Sequence, residues 1–256
     1  MGRVLVGTSG FSYQHWRGVF YPADLPQERW LSRYVEEFPT VELNTTFYRL
    51  PRAEAVERWR RETPAEFVFA AKGSRFMTHM KRLLDPAPGL SRFFTPVSHL
   101  GPKLAVVLWQ LPPRWAPNLE RLDAFLAALP QRLRRSPVRH AVEFRDGAWY
   151  AEPVCDVLDR HGAAFCEHDL VPLAPPRLTG GFRYVRFHGA TGKYAGRYGA
   201  EALRPWAAGL ARWSRRGDVF VYFNNDVGGH AIEDARDLRA LLGEGRPAPS
   251  VAAPSR

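Results

Sequence analysis

Several short stretches of this sequence carry charged or amide side chains at alternate positions of an otherwise apolar run. In the stretch VELNTTFYRLP (41–51), Glu42 and Asn44 alternate with apolar neighbours, which is the two-residue period of a β-strand. The apolar side of such a strand packs against neighbouring elements, so we expect the polar side to face the interior of the fold. Glu42 and Asn44 are therefore candidates for a functional site.

The same alternation assigns further polar side chains to the interior. Most of them occur at the last positions of their apolar runs. The predicted inward residues are Glu42, Asn44, Lys72, Gln110, Glu143, Arg145, Arg186, His188 and Asn224. Asp169 also ends an apolar run, but the pattern leaves its direction open.

These residue types could perform acid–base chemistry. Glu42 and Glu143 are two carboxylates that could share acid and base roles, as in glycoside hydrolysis. Nearby arginines favour ionised carboxyls, so His188, whose ordinary pKa lies near neutrality, is the preferred proton carrier beside Glu143. A core histidine with satisfied hydrogen bonds is the alternative interpretation of His188. Lys72 could instead form a Schiff base if its pKa is lowered.

The inward cations predict an anion site. Arginine binds carboxylate or phosphate through two parallel hydrogen bonds, and lysine supplies a point charge, so Lys72, Arg145 and Arg186 are predicted to hold an anionic group. Aromatic side chains in the loops after the strands could stack on a sugar or a base, or could only wall the site. These aromatic residues are Tyr13, Trp16, Tyr48, Trp149 and Tyr194.

Eight apolar, β-branched or aromatic runs recur along the chain, and amphipathic stretches separate most of them. The predicted strands are 4–8, 40–47, 67–72, 104–110, 140–145, 163–169, 183–188 and 219–225. Strands that alternate with helices pair in parallel, and eight such units predict a single (β/α)8 TIM-type barrel. In these barrels the active site lies at the carboxyl ends of the strands, where most of the polar inward residues occur.

Composition restricts the class of protein. The 256 residues are 45% hydrophobic and 24% charged, and no apolar run reaches the roughly 18 residues that a membrane span requires. Cys155 and Cys166 lack metal-ligand spacing, and the first residues do not have the order of a signal peptide. The sequence predicts one barrel domain over 1–244, a disordered Pro-, Ala- and Ser-rich tail over 245–256, no membrane association and a cytoplasmic location.

Ordered motifs at the strand ends resemble those of the YecE-like proteins, catalogued as domain of unknown function 72. The motifs are GTSGFSYQHW, FYP, VELNTTFYRLP, KGSRFMTH, LWQLPP, EFRDGAW, YVRFHG and YFNND, and they extend from about residue 3 to 242. The resemblance implies a TIM-type barrel and supplies no reaction. This chain departs from the family pattern at Phe11, Asp146 and Ala148, where Trp, His and Ser are more typical.

The formal net charge of +10 favours anionic partners, although an arginine-rich composition with four lysines is an alternative explanation. We expect an enzyme that uses acid–base chemistry on a small anionic or phosphorylated substrate and needs no cofactor. A non-catalytic nucleic-acid-binding protein is one alternative.

The other alternative is a metal-assisted phosphodiesterase that resembles endonuclease IV. Its ligands would come from Glu42, Glu143, His168, Asp169 and His188. The inward cations argue against a cluster of metal ions, and no HExxH motif is present. A single divalent ion bound together with the substrate remains open.

Overall fold

Nine short parallel strands form one curved sheet in the computed structural model, which describes residues 2–192 and 194–243. The strands of the described residues are β1 (Val4–Ser9), β2 (Thr40–Leu43), β3 (Val68–Lys72), β4 (Leu104–Gln110), β5 (Arg132–Leu133), β6 (Ser136–Pro137), β7 (Arg139–Glu143), β8 (Ala164–Phe165), β9 (Glu167–His168), β10 (Arg183–Phe187) and β11 (Val219–Phe223). The order in the sheet is β8-β7-β4-β3-β2-β1-β11-β10-β9, and β5 and β6 form a separate antiparallel hairpin.

The two ends of this sheet meet because β8 and β9 are halves of one predicted strand. Only Cys166 separates them. β8 pairs with β7 and β9 pairs with β10, so the strand order returns to its start and the barrel closes. If the two halves are counted as one strand, the barrel has eight parallel strands, and the predicted (β/α)8 fold is confirmed.

Helices cover the outside of the barrel between most strands. In the described ranges they are α1 (Trp30–Val35), α2 (Thr45–Tyr48), α3 (Ala53–Glu62), α4 (Pro86–Val97), α5 (Leu119–Ala127), α6 (Glu152–Arg160), α7 (Gly199–Trp213) and α8 (His230–Leu241). None of these helices is long and apolar enough to cross a membrane. The predicted tail over 245–256 lies outside the described residues.

Two apolar layers show which way the strand side chains point. The inner layer contains small and aromatic residues such as Ala70, Ala141 and Tyr184. The outer layer contains Val142 and Val185, which pack beneath the helices. These strands therefore point their side chains inward and outward as the alternating pattern predicts. The polar inward side chains lie toward the carboxyl ends of the strands.

Five strands, β2, β7, β9, β10 and β11, end earlier than the sequence predicts. β2 stops at Leu43, and the short helix α2 replaces the predicted strand over 44–47. The hydroxyl of Thr46 causes part of this turn, because it donates to the carbonyl oxygens of Leu43 and Lys72, each at 2.7 Å. Since β7 and β11 also end early, Asn44, Arg145 and Asn224 belong to the loops at the rim rather than to strands.

Candidate active site at the carboxyl ends of the strands

Arg186 lies at the centre of a buried network of charges inside the barrel. Its Nη2 donates to Glu42 Oε1 at 2.7 Å and its Nη1 donates to Glu143 Oε2 at 2.6 Å. All three residues have no exposed surface. Buried charges are tolerated only when they are paired and hydrogen-bonded, and here one guanidinium joins two carboxylates from β2 and β7, which β3 and β4 separate in the sheet.

Glu42 has two further hydrogen-bond donors. Ser9 Oγ donates to Glu42 Oε1, and Tyr184 Oη donates to Glu42 Oε2 at 2.6 Å. Burial opposes ionisation of this carboxyl, but Arg186, Lys72 and the two hydroxyl donors outweigh burial and lower its pKa. Glu42 is therefore an ionised acceptor. Ser9 and Tyr184 were not among the predicted site residues, although Tyr184 precedes Arg186 by two positions on the same strand face.

Arg145 continues the network toward the rim. Its Nε donates to Glu143, and its Nη2 donates to His188 Nε2 at 3.0 Å. Arg186 Nη1 also lies 3.0 Å from His188 Nε2. A guanidinium nitrogen can only donate, so His188 Nε2 must be an unprotonated acceptor.

Glu143 and His188, the predicted base and proton carrier, are both weak bases in this environment. Burial opposes ionisation of Glu143, but Arg145 and Arg186 hold its pKa well below the usual range. Burial lowers the pKa of His188 to about 4, although its hydrogen bond to Asp169 acts in the opposite direction. Neither group changes its protonation state near neutral pH.

Asp169 fixes the orientation of His188. One carboxylate oxygen of Asp169 accepts from the backbone N–H of His188 at 3.0 Å and lies 3.2 Å from Nδ1. Tyr198 Oη donates to the other oxygen. The direction of Asp169, which the sequence left open, is toward this network, and it adds a third carboxylate to the two that alternation assigned.

Lys72 differs from the other charged residues of the site. It is the last residue of β3 and is 4% exposed, and its Nζ lies 4.2 Å from the centroid of the Phe47 ring. Within the described residues, no hydrogen bond or ion pair reaches this nitrogen. Burial lowers the pKa of Lys72 to about 7, and Arg186 adds to this effect, whereas Glu143 and Glu42 oppose it. Lys72 therefore titrates near neutral pH.

A single π-helical turn, Phe76–Met80, places His79 beside Lys72. The Phe47 ring contacts both, because the His79 ring lies 5.1 Å from it at an interplanar angle of 80°. Burial, together with the charges of Lys72, Arg75 and Arg145, lowers the pKa of His79 to about 4. Three cations thus act on one half-buried imidazole. We call Lys72, Arg75, His79 and Arg145 the cationic corner.

The cationic corner was only partly predicted. Arg75 and His79 were not selected, because neither belongs to an alternating strand. Both belong to KGSRFMTH, one of the motifs that resemble those of the YecE-like proteins. π-helical turns are rare in proteins, and those that occur are often found at functional sites. Their positions cannot be predicted from a sequence pattern.

Arg186 and two of the predicted aromatic residues are enclosed. Both Nη atoms of the Arg186 guanidinium are held by the network, so it cannot contact a ligand unless a carboxylate moves away. Trp16 is fully buried, and Trp149 is 1% exposed and stacks on Phe144 at 4.8 Å. Of the two roles considered for Trp16 and Trp149, stacking on a ligand does not agree with their burial, because both rings pack within the apolar core.

The other predicted aromatic residues remain near the surface. Tyr48 is 74% exposed, and Tyr13 is half-buried and donates to the carbonyl oxygen of Ser9 at 2.5 Å. The Tyr194 ring is half-buried at 6.0 Å from the His188 ring. These three side chains can line an approach to the charged network.

The predicted amide side chains occupy different places around the network. Gln110 is 7% exposed and donates to the carbonyl oxygen of Leu111 at 2.7 Å, and Asn224, which directly follows β11, is 4% exposed. The Oδ1 atom of Asn44 is buried without a hydrogen-bond partner and borders a cavity of about 420 Å³ that Tyr13 and Tyr48 also line. Asn44 therefore lies between that cavity and the charged network.

The candidate metal ligands do not form a metal site in the part of the chain that the structure describes. No group of three or more His, Cys, Asp or Glu side chains there is arranged to hold a metal ion. His168 Nε2 is 2.7 Å from the carbonyl oxygen of Phe144, and the other four residues considered as ligands belong to the network above.

A closed parallel barrel with charged side chains at the carboxyl ends of its strands belongs to the TIM-barrel class. The chain is a member of the family described as "Protein of unknown function DUF72", whose profile matches residues 5–256. The resemblance to YecE-like proteins that the motifs indicated is confirmed.

Three relatives illustrate the range of this similarity. The chain is 30% identical to the UPF0759 protein YunF of Bacillus subtilis, with 87% of this chain and 89% of YunF covered. It is 35% identical to the UPF0759 protein YecE of Escherichia coli over 119 residues, which are 46% of this chain and 44% of YecE. A crystal structure of a DUF72 family protein from Thermotoga maritima has a TM-score of 0.82 at 31% identity, with 94% of this chain and all of that chain covered.

Proposed function

We propose that this protein is an enzyme that performs acid–base chemistry on a small anionic substrate, and that Lys72 is the group that gains and loses the proton. The position of the Lys72 nitrogen carries this proposal, because it is buried against the Phe47 ring and makes no hydrogen bond or ion pair to the described residues. Glu42 and Glu143 are already paired with arginines, so they are not free to bind a cationic substrate. An anion at the cationic corner would find Lys72 Nζ and Arg145 Nη1 without hydrogen bonds to the described residues.

Arg145 has the geometry to bind that anion. Two of its guanidinium nitrogens are held by Glu143 and His188, which fixes the plane of the group. Its third nitrogen, Nη1, makes no hydrogen bond to the described residues. A guanidinium held in this way can donate to a carboxylate or phosphate oxygen without losing further side-chain freedom.

Lys72 has the titration behaviour that general acid–base catalysis requires. A catalytic acid or base is most effective when its pKa is near the operating pH, and burial lowers the pKa of Lys72 to about 7. A positioned group of this kind contributes roughly 10²–10⁴-fold to a reaction rate. In this proposal Glu143 and His188 orient Arg145, and Glu42 holds Arg186. The role of Asn44, Gln110, Asn224 and the three rim tyrosines is to contact the substrate.

The two alternatives stay open as predictions. No observation in the described residues favours a metal-assisted phosphodiesterase or a non-catalytic nucleic-acid-binding protein over the enzyme proposed here. A formal charge of +10 is compatible with all three.

Sulfate binding tests the proposed site, because sulfate keeps its charge of −2 across the pH range of interest. By isothermal titration calorimetry, we expect saturable binding at pH 6 and an affinity that falls by up to about tenfold per pH unit above pH 7, as Lys72 loses its charge. In Lys72→Arg the side chain stays charged, so the affinity should not change with pH. Arg145→Gln should weaken binding at every pH.

Lys81→Arg is the matched control, because Lys81 is a surface lysine with a 43% exposed side chain. It should behave like the wild type. An affinity for sulfate that does not change between pH 6 and pH 9 in the wild type, or that is unaffected in Arg145→Gln, would remove the cationic corner as the substrate site.

A further inference from the structure

We infer that Lys72 forms an imine with the carbonyl carbon of an aldehyde or ketone that also carries an anionic group. The inference rests on the proposed function, because it uses the same cationic corner. It goes further by naming the substrate class and a covalent intermediate.

The surroundings of the Lys72 nitrogen favour a nucleophile over an ion-pair partner. A structural lysine inside a barrel would pair with a carboxylate, yet Glu42 and Glu143 both accept hydrogen bonds from Arg186 instead. Lys72 Nζ rests on the face of Phe47, and its positive neighbour is Arg186. Lysines that form Schiff bases are activated in this way, by desolvation in an apolar pocket or by an adjacent cation.

The backbone of Lys72 is also held rigidly. The carbonyl oxygen of Lys72 accepts from Thr46 Oγ1 at 2.7 Å, and β3 is paired on both sides, with β2 and with β4. A nucleophile on a strand end is positioned more accurately than one on a mobile loop, which favours attack at a single carbonyl carbon.

The reaction balances without any oxidant or reductant. The neutral Nζ attacks the carbonyl carbon, a C–N bond forms, and one proton moves from nitrogen to oxygen to give the carbinolamine. The hydroxyl group then takes up one proton and leaves as water, which forms the iminium ion. Overall, the ammonium form of Lys72 and the carbonyl compound give the iminium ion and one water molecule.

The proton passes from the attacking nitrogen to the carbinolamine oxygen without the help of His79. The His79 ring packs against the Phe47 ring that Lys72 also contacts, but the pKa of His79 is lowered to about 4, so this imidazole is too weak a base to carry a proton at neutral pH. The carboxylates of Glu42 and Glu143 act on the Lys72 nitrogen and favour a positive charge there, so they also favour the iminium ion. Arg145 would bind the anionic group of the same molecule.

The small number of lysines makes the inference easy to test. The chain has four: Lys72, Lys81, Lys103 and Lys193. Lys81 is exposed, and Lys103 Nζ donates to the carbonyl oxygens of Arg60 and Thr63 at 2.8 and 2.6 Å. Lys193 lies outside the described residues. Peptide mapping can therefore assign any covalent adduct to a single residue.

The experiment is borohydride trapping at pH 7 with four anionic carbonyl compounds: pyruvate, glyoxylate, dihydroxyacetone phosphate and glycolaldehyde phosphate. After a short incubation, a pulse of sodium borohydride reduces any imine to a stable amine, which mass spectrometry detects. We expect one addition per chain with at least one of the four, located at Lys72 at least about tenfold above Lys81 and Lys103. The addition should fall in Arg145→Gln and in excess sulfate, and uncharged dihydroxyacetone should give much less.

No addition at Lys72 with any of the four compounds, or equal addition at all lysines, would overturn the inference. Reductive methylation with formaldehyde at pH 7 separates this failure from failure of the proposed function. If Lys72 is methylated preferentially but no adduct is trapped, the proposal that Lys72 is the acid–base group stands, and the inference that it forms an imine is rejected. Methylation of Lys72 no faster than that of Lys81 would contradict both. These trapping and methylation results compare Lys72 with the other lysines of the wild-type chain, so they do not depend on the folding of a variant.

Discussion

Replacing Arg186 with Met is expected to lower the free energy of unfolding by about 3–5 kcal/mol at pH 7, the usual cost of removing one partner from a buried ion pair. Met has a similar length but no charge, so Glu42 and Glu143 would be left without their shared donor at positions that have no exposed surface. Urea unfolding of the variant and the wild type, with comparable m-values, measures this difference.

Two comparisons make this prediction specific. Arg212 is an exposed arginine of α7, so Arg212→Met should change stability by no more than about 0.5 kcal/mol. The difference in the free energy of unfolding between the wild type and Arg186→Met should also become smaller at low pH. A carboxyl whose pKa is lowered by folding stabilises the fold above its unfolded pKa of 4.5, and this contribution is lost as the pH falls through the folded value. A Met variant as stable as the wild type at pH 7 would show that the network is not needed for folding.

Lys72→Met is expected to have the opposite effect and to stabilise the fold by an amount on the order of 3 kcal/mol at pH 6. Folding lowers the pKa of Lys72 from 10.5 to about 7, so below pH 7 the folded chain carries the full cost of a buried ammonium that no carboxylate contacts. Met fills similar space without that cost. Such a gain in stability is typical of a residue that is retained for function.

The pH dependence distinguishes this effect from simple repacking. Between pH 7 and pH 10.5 the unfolded chain binds one proton more than the folded chain at Lys72, so wild-type stability rises by up to about 1.4 kcal/mol per pH unit relative to the Met variant. The free energies of unfolding of the wild type and of Lys72→Met should therefore converge as the pH is raised from 7 to 9. Lys81→Met is the control and should show no such convergence. A variant less stable than the wild type at pH 6 would mean that Lys72 makes a favourable ion pair.

Much of the fold followed from the sequence, because alternation and parallel strand pairing are local and regular. The inward facing of Glu42, Glu143 and Arg186 depends only on the two-residue period of a strand, and the structure joins these three residues directly. The split of the sixth strand at Cys166 could not be predicted, since barrel closure depends on pairing with two distant strands.

Other features escaped the sequence analysis for identifiable reasons. α4 begins at Pro86 and contains Pro96, so its composition resembles a loop, although Leu90, Phe93 and Phe94 are buried along one side of it. Its helical form depends on this packing more than on intrinsic propensity. The burial of Trp16 and Trp149 depends in the same way on how the loops fold back over the barrel.

The most direct test of the account is the titration of the four lysines by NMR, with lysine labelled with ¹³C at the ε position. One of the four resonances should titrate with a midpoint near pH 7 and should be missing in Lys72→Arg. Such a midpoint would support a buried amine that is available for proton transfer at neutral pH. If all four resonances instead titrate near the ordinary lysine pKa of about 10.4, Lys72 is a permanent cation at neutral pH and the proposed chemistry is contradicted.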